Sequence, residues 1–155
     1  MGNTAIQDAL LNTFVIIPML NEEDSIERVL NDLPSVRQVL VVDNGCTDKS
    51  PERARAGGAH VVSEPQRGYG KACLTGIAHV EDSLNNAPDA AHNDPQDVII
   101  AFLDGDYSDY PQELSRLVEP IASRQADFVV GSRTLGDREP GAMPFQSIFG
   151  NWLAC

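Results

Sequence analysis

A chain of 155 residues, 42% of them hydrophobic, has room for one core and one domain. Asp and Glu number 23 against 11 Lys and Arg, a net charge of -12, so the surface field repels phosphate backbones and argues against nucleic acid or an anionic lipid surface as a partner. Cys46, Cys73 and Cys155 fall in no C-x-x-C or Cys/His spacing, which argues against a disulfide framework or a zinc site and fits a reducing cytoplasm.

Residues 1–12 lack the basic region and apolar stretch of a secretory signal and read as a short lead-in to a single domain over residues 13–155. The first strand is the apolar run Phe14 to Ile17, and a helix follows on the spacing of Ile26, Val29, Leu30 and Leu33. Val39 to Val42 is the second strand, and the next helix closes at Gly57-Gly58, where glycine can take the left-handed turn. His60 to Ser63 is a weaker strand, and Cys73, Ile77, Val80 and Leu84 mark a helix. A polar loop, Asn85 to Asp97, leads to Val98 to Leu103, the longest apolar run, which is expected to be the most buried strand and is too short to cross a bilayer. Leu114, Leu117, Val118 and Ile121 give a further helix, Phe128 to Val130 a fifth strand, and Gly136 to Pro144 a loop. Strands apolar on both faces, alternating with helices, predict an α/β fold: a mostly parallel, Rossmann-like sheet with helices on both faces.

Ligands of such sheets bind beyond the carboxyl ends of the strands. Those ends are polar here: Pro18-Met19-Leu20-Asn21-Glu22-Glu23, Asp43-Asn44-Gly45-Cys46-Thr47-Asp48, Asp104-Gly105-Asp106 and Gly131-Ser132-Arg133. Asp104 and Asp106, two apart on an extended strand end, point to one side, and Gly105 lets a ligand approach the backbone. Each close pair of a carboxylate and a diphosphate charge would repel by about 1 to 4 kcal/mol. A bridging Mg²⁺ or Mn²⁺ reverses that sign, because carboxylate oxygens suit hard cations that complete their shells with phosphate and water. The plainer alternative is a polar turn after a strand.

Asp43 and Asn44 have hydrogen-bonding groups suited to a base edge or ribose, while Thr47 or Asp48 can cap the next helix. Glu22 is either a ligand contact or first-turn helix chemistry. Arg67-Gly68-Tyr69-Gly70-Lys71 opens a helix where backbone N–H groups and Lys71 could meet a phosphate, although the spacing is not that of a P-loop. Arg133 is a phosphate contact or a surface ion pair. Cys46 and Cys73 read as packing residues, and His60, His79 and His92 share no ligand spacing.

Val15-Ile16-Ile17-Pro18 with Asn21-Glu22-Glu23, then Val41 to Asp48, Gly70-Lys71, Phe102 to Asp106, Gly131-Ser132-Arg133 and Gly150-Asn151, in this order, resemble family 2 glycosyltransferases of the GT-A fold. Within that family the chain is most similar to the polyprenyl-phosphate branch, the dolichyl-phosphate mannosyl- and glucosyltransferases. The resemblance implies that Pro18, Asn21, Glu22, Asp43, Asn44, Gly70, Lys71 and Gly105 contact the nucleotide and Arg133 the diphosphate. It assigns ribose, metal and the catalytic role to Asp104 and Asp106. Asn44 stands where many members have Asp, and Cys46 where Ser is usual.

Relatives continue into an acceptor region past Gly150-Asn151, so the chain is expected to be a fragment, cytoplasmic and at the inner face of the membrane in a full-length form. The expected reaction is inverting transfer of a hexose from a UDP- or GDP-linked donor to a polyprenyl phosphate. That acceptor is already an anion and needs no strong general base. Competing readings are a donor-binding module without transfer activity, a sugar-1-phosphate nucleotidyltransferase and a phospho-acceptor receiver domain. The nucleotidyltransferase is disfavoured because Asn21-Glu22-Glu23 is acidic where it needs a basic glycine-rich segment. The receiver is disfavoured because Arg133 stands where it needs lysine.

Overall fold

A computed structural model describes residues 3–86 and 97–132. Among them run α1 (Asn3–Leu11), β1 (Thr13–Met19), α2 (Ile26–Asp32), β2 (Gln38–Asp43), α3 (Ser50–Ala56), β3 (His60–Ser63), α4 (Tyr69–Asn85), β4 (Ile99–Phe102), a 3-10 turn (Pro111–Glu113) and α5 (Leu114–Ala122). The strands form one four-stranded sheet in the order β3-β2-β1-β4, and every pairing is parallel. No helix among the described residues is long and apolar enough to cross a membrane.

Strand periodicity divides the core in two. Val15, Ile17 and Met19 of β1 face one side of the sheet, where they pack with Val41, Ile26 and Val29, and Leu10, Leu114 and Val118 complete that layer. Phe14 and Ile16 face the other side with Leu40 and Val42, covered by Ala72 and Val80 of α4. Among the described residues, α4 is thus the helix on one face, with α1, α2, α3 and α5 contributing to the other. Six of the seven residues of β1 are buried, all but Pro18, as expected for a strand paired on both edges and covered on both faces.

The stretch read as a lead-in is helical, and its Ile6, Ala9 and Leu10 pack on the core at helical spacing. Two strand expectations are corrected. The most buried strand is β1, not the Val98 to Leu103 run. With no strand beyond it among the described residues, β4 leaves Ile100 37% and Phe102 46% exposed. Phe128 to Val130 form no strand: Phe128 is 81% exposed, and Gly131 lies against Leu117 of α5 instead of extending the sheet. Three apolar residues without a ladder partner carry too little pairing to define a strand. Arg133, the Gly136 to Pro144 loop and Gly150-Asn151 lie outside the described residues, as does most of the Asn85 to Asp97 loop.

Close approach of α4 to the sheet depends on Gly76, where a Cβ would stand 2.5 Å from Ile16 Cγ2. Gly76→Ala is expected to destabilise the fold by about 1–3 kcal/mol through overpacking. Gly70→Ala on the same helix, where nothing lies within 4 Å, should cost nothing. Urea unfolding of the two variants measures the difference.

Candidate nucleotide-binding site

Parallel register brings the strand ends to one edge. Met19 stands opposite Asp43 and Asp43 opposite Ser63. Ile16 stands opposite Phe102, and the ladder continues with Leu103 N donating to Ile16 O at 3.1 Å, which carries Asp104 to the level of Pro18.

Loops after β1 and β2 are joined side by side. Thr47 N donates to Asn21 Oδ1 at 2.8 Å, Glu22 N to Ser50 Oγ at 2.7 Å, Glu23 N to Asp48 Oδ2 at 3.2 Å, and Lys49 N to Glu23 Oε2 at 3.0 Å. Asn21 adopts φ 58°, a left-handed conformation that asparagine tolerates better than most residues. Asp48 Oδ1 accepts Ser50 N at 3.0 Å, so Asp48, not Thr47, serves the start of α3. Burial raises the Asp48 pKa, but bonds from Ser50 and Glu23 N outweigh it and hold the carboxyl below its ordinary value.

Asn44 is 5% exposed, and its amide faces inward. Nδ2 donates to the carbonyls of Glu64 and Gln66 at 3.0 and 2.9 Å, and Oδ1 accepts Gly68 N at 2.7 Å. The side chain therefore braces the segment between β3 and α4. Glu64, 9% exposed, completes that brace by accepting Gln66 N at 2.7 Å and Thr75 Oγ1 at 2.6 Å. The Thr75 hydroxyl, then the Gln66 N–H, hold the Glu64 carboxyl below its ordinary value. Asp43 Oδ1 accepts Gly45 N and Cys46 N at 3.1 and 2.8 Å, shaping the tight turn after β2. Cys46 Sγ accepts Asn21 N at 3.3 Å, and burial pushes the thiol up to about 11, consistent with a packing role.

These braces leave a cleft of about 220 Å³ lined by Pro18, Leu20, Glu22, Asn44, Arg67 and Tyr69, among others. Of the residues expected at the nucleotide, Pro18, Glu22 and Asn44 line it directly, whereas Asn21 and Asp43 shape its walls. Gly70 and Lys71 are exposed at the head of α4, and the Lys71 charge helps keep Glu64 ionised. Gly105 is buried beneath Glu22, whose Cγ would lie 3.4 Å from an added Cβ. That distance is ordinary van der Waals contact, so the fold leaves room for a small side chain at this position.

Asp104 Oδ1 accepts the Tyr69 hydroxyl at 3.3 Å. Burial first, and then the Asp104 charge, push the Tyr69 phenol up to about 12. Asp106 Oδ1 accepts Ser108 N at 2.8 Å, so one oxygen of this carboxylate shapes its own turn. Tyr107, at φ 62°, fastens that turn to α2: its hydroxyl donates to Asp32, and the Arg28 guanidinium lies 4.0 Å from its ring centroid. Tyr69, Glu64 and Tyr107 carried no assignment in the sequence, because their roles depend on contacts between distant segments. Among the described residues no three His, Cys, Asp or Glu side chains are grouped to hold a metal. The donor set at Asp104 and Asp106 fits a hard divalent ion that takes one or two carboxylates and completes its shell with phosphate and water, and does not fit an all-protein zinc cage.

The sequence pattern of the family described as Glycosyl transferase family 2 matches residues 14–154. This chain belongs to that family. Its parallel α/β fold is that of GT-A glycosyltransferases. The family 2 domain is similar to an uncharacterised glycosyltransferase of Mycobacterium tuberculosis, 37% identical over 119 residues that cover 77% of this chain and 47% of the relative. It is also similar to the undecaprenyl-phosphate 4-deoxy-4-formamido-L-arabinose transferase of Klebsiella pneumoniae, 33% identical over 68% of this chain and 32% of the relative. Glucosyl-3-phosphoglycerate synthase of M. tuberculosis, solved with Mn²⁺, UDP-glucose and phosphoglyceric acid, superposes with a TM-score of 0.56 at 27% identity, over 76% of this chain and 44% of that one. The chain thus spans about half the length of the first curated relatives it matches.

The Asn44 brace of this family 2 domain has a direct test. Asn44→Asp would set a carboxylate against the two carbonyls that now accept its amide, and should lower the unfolding free energy by about 2 kcal/mol or more. A thermal midpoint unchanged from wild type would show that the amide does not carry the loop.

Proposed function

We propose that the family 2 domain binds a UDP-linked hexose in the cleft between Pro18, Glu22, Asn44 and Tyr69, with its diphosphate held through Mg²⁺ or Mn²⁺ at Asp104 and Asp106. The observation that carries this reading is a cleft formed by the β1 and β2 ends and the head of α4, two of whose lining residues lead to the end of β4: Glu22 packs on Gly105, and Tyr69 reaches Asp104. Support for UDP over GDP comes from the M. tuberculosis synthase, whose solved complex holds Mn²⁺ and UDP-glucose.

In this reading the apolar walls at Pro18 and Leu20 flank the nucleoside, and Asp104 and Asp106 fix the diphosphate end of the donor. Arg133 belongs to the same proposal as a diphosphate contact. When bound, the divalent ion would offset charge on the departing nucleoside diphosphate. Transfer would proceed with inversion to a polyprenyl phosphate, an acceptor supported by the K. pneumoniae relative, whose name specifies undecaprenyl phosphate. Such an acceptor supplies its own anionic oxygen and asks no side chain for strong base catalysis.

Calorimetric titration with UDP and GDP, with and without Mn²⁺, tests the donor site. UDP should bind more tightly with Mn²⁺, and Asp106→Asn, which keeps an acceptor for Ser108 N while removing the charge, should abolish that gain. Binding indifferent to both metal and substitution would refute the site. Transfer of radiolabelled hexose from UDP-hexose to polyprenyl phosphate tests the reaction separately.

A further inference from the structure

We infer that Tyr69 is a positioning residue of the donor site, its hydroxyl setting the orientation of the Asp104 carboxylate. This rests on the donor-site reading above and adds to it a group outside the expected ligand set.

Tyr69 is the first residue of α4, and the residue before it is held twice. Gly68 N is held by Asn44 Oδ1 at 2.7 Å, and Ala72 N closes the first helical turn on Gly68 O at 3.0 Å. From that anchored start the phenol reaches across to the end of β4 and donates to Asp104 Oδ1 at 3.3 Å, a contact between residues 35 apart in the chain. Core packing does not account for the ring, which is 60% exposed and lines the cleft. A carboxylate with one oxygen engaged by an anchored donor is restricted in the orientation it can present. Such supporting bonds govern the affinity of the ion that a carboxylate serves, by about 10–100-fold when removed. The same bond links the two halves of the site, since the Asn44 brace places α4 and α4 in turn places Asp104.

Tyr69→Phe keeps the ring and removes the hydroxyl, with its contacts to Asp104 and to the Cys73 thiol, so calorimetry with UDP, with and without Mn²⁺, tests the hydroxyl. The expected result is that the gain in UDP affinity given by Mn²⁺ shrinks by about tenfold or more, with the thermal midpoint as in wild type. Tyr110→Phe, an equally exposed tyrosine that does not line the cleft, should change neither. Equal Mn²⁺-supported affinity in Tyr69→Phe and wild type would overturn the inference while leaving the donor site standing. A fall in metal-free affinity and thermal midpoint together would also overturn it, by assigning Tyr69 to the fold. Wild-type binding without any metal dependence would instead refute the donor-site reading, and the inference with it.

Discussion

Burial of β1 on both faces, with a parallel neighbour on each edge, is the constraint from which the remaining geometry follows. A strand enclosed in this way must be apolar along its length, and Phe14 to Ile17 satisfy that requirement. Because β2 and β4 run parallel to it, every chain segment leaving the sheet at its carboxyl edge emerges beside the others. Polar side chains are concentrated at that edge because the strands themselves cannot accommodate them.

The polar groups at this edge divide into two kinds. Asn21, Asp43, Asp48 and Glu64 spend hydrogen-bonding capacity on neighbouring backbone N–H groups, turning separate loops into one braced rim. Asp104 accepts the hydroxyl of Tyr69 from the distant α4, and Asp106 accepts Ser108 N within its own turn. A rim braced in this way presents its carboxylates without reorganising, which would favour the charged donor proposed for it. Tyr107, held against Arg28 and Asp32, extends the same rigidity to the turn that carries Asp106.

Sequence patterns revealed those parts of the fold that depend on local periodicity. The runs that became β1, β2 and β3 and the helical spacing of α2, α4 and α5 are properties of short windows. Burial of a strand depends instead on its neighbours, so the longest apolar run proved to be the sheet's exposed margin among the described residues, and Phe128 to Val130 gained no ladder. The site was legible as a set of strand ends, but not in its division of labour. An asparagine suited to a base edge is equally suited to two carbonyls and an amide, and only the fold shows that Asn44 engages the latter. Tyr69 was beyond reach for the complementary reason, since its partner is supplied by a strand far along the chain.

A net charge of -12 gives this protein many places to attract a divalent ion loosely, so the location of the ion is more telling than its binding. Substoichiometric Mn²⁺ added in the presence of UDP should broaden amide resonances in the two-dimensional ¹H–¹⁵N spectrum by proximity to the paramagnetic ion. The account predicts selective loss of Gly105, Asp106 and Glu22, sharpened by UDP and removed by excess Mg²⁺. Broadening spread evenly over the acidic surface, or centred away from the β1 and β4 ends and indifferent to UDP, would contradict it.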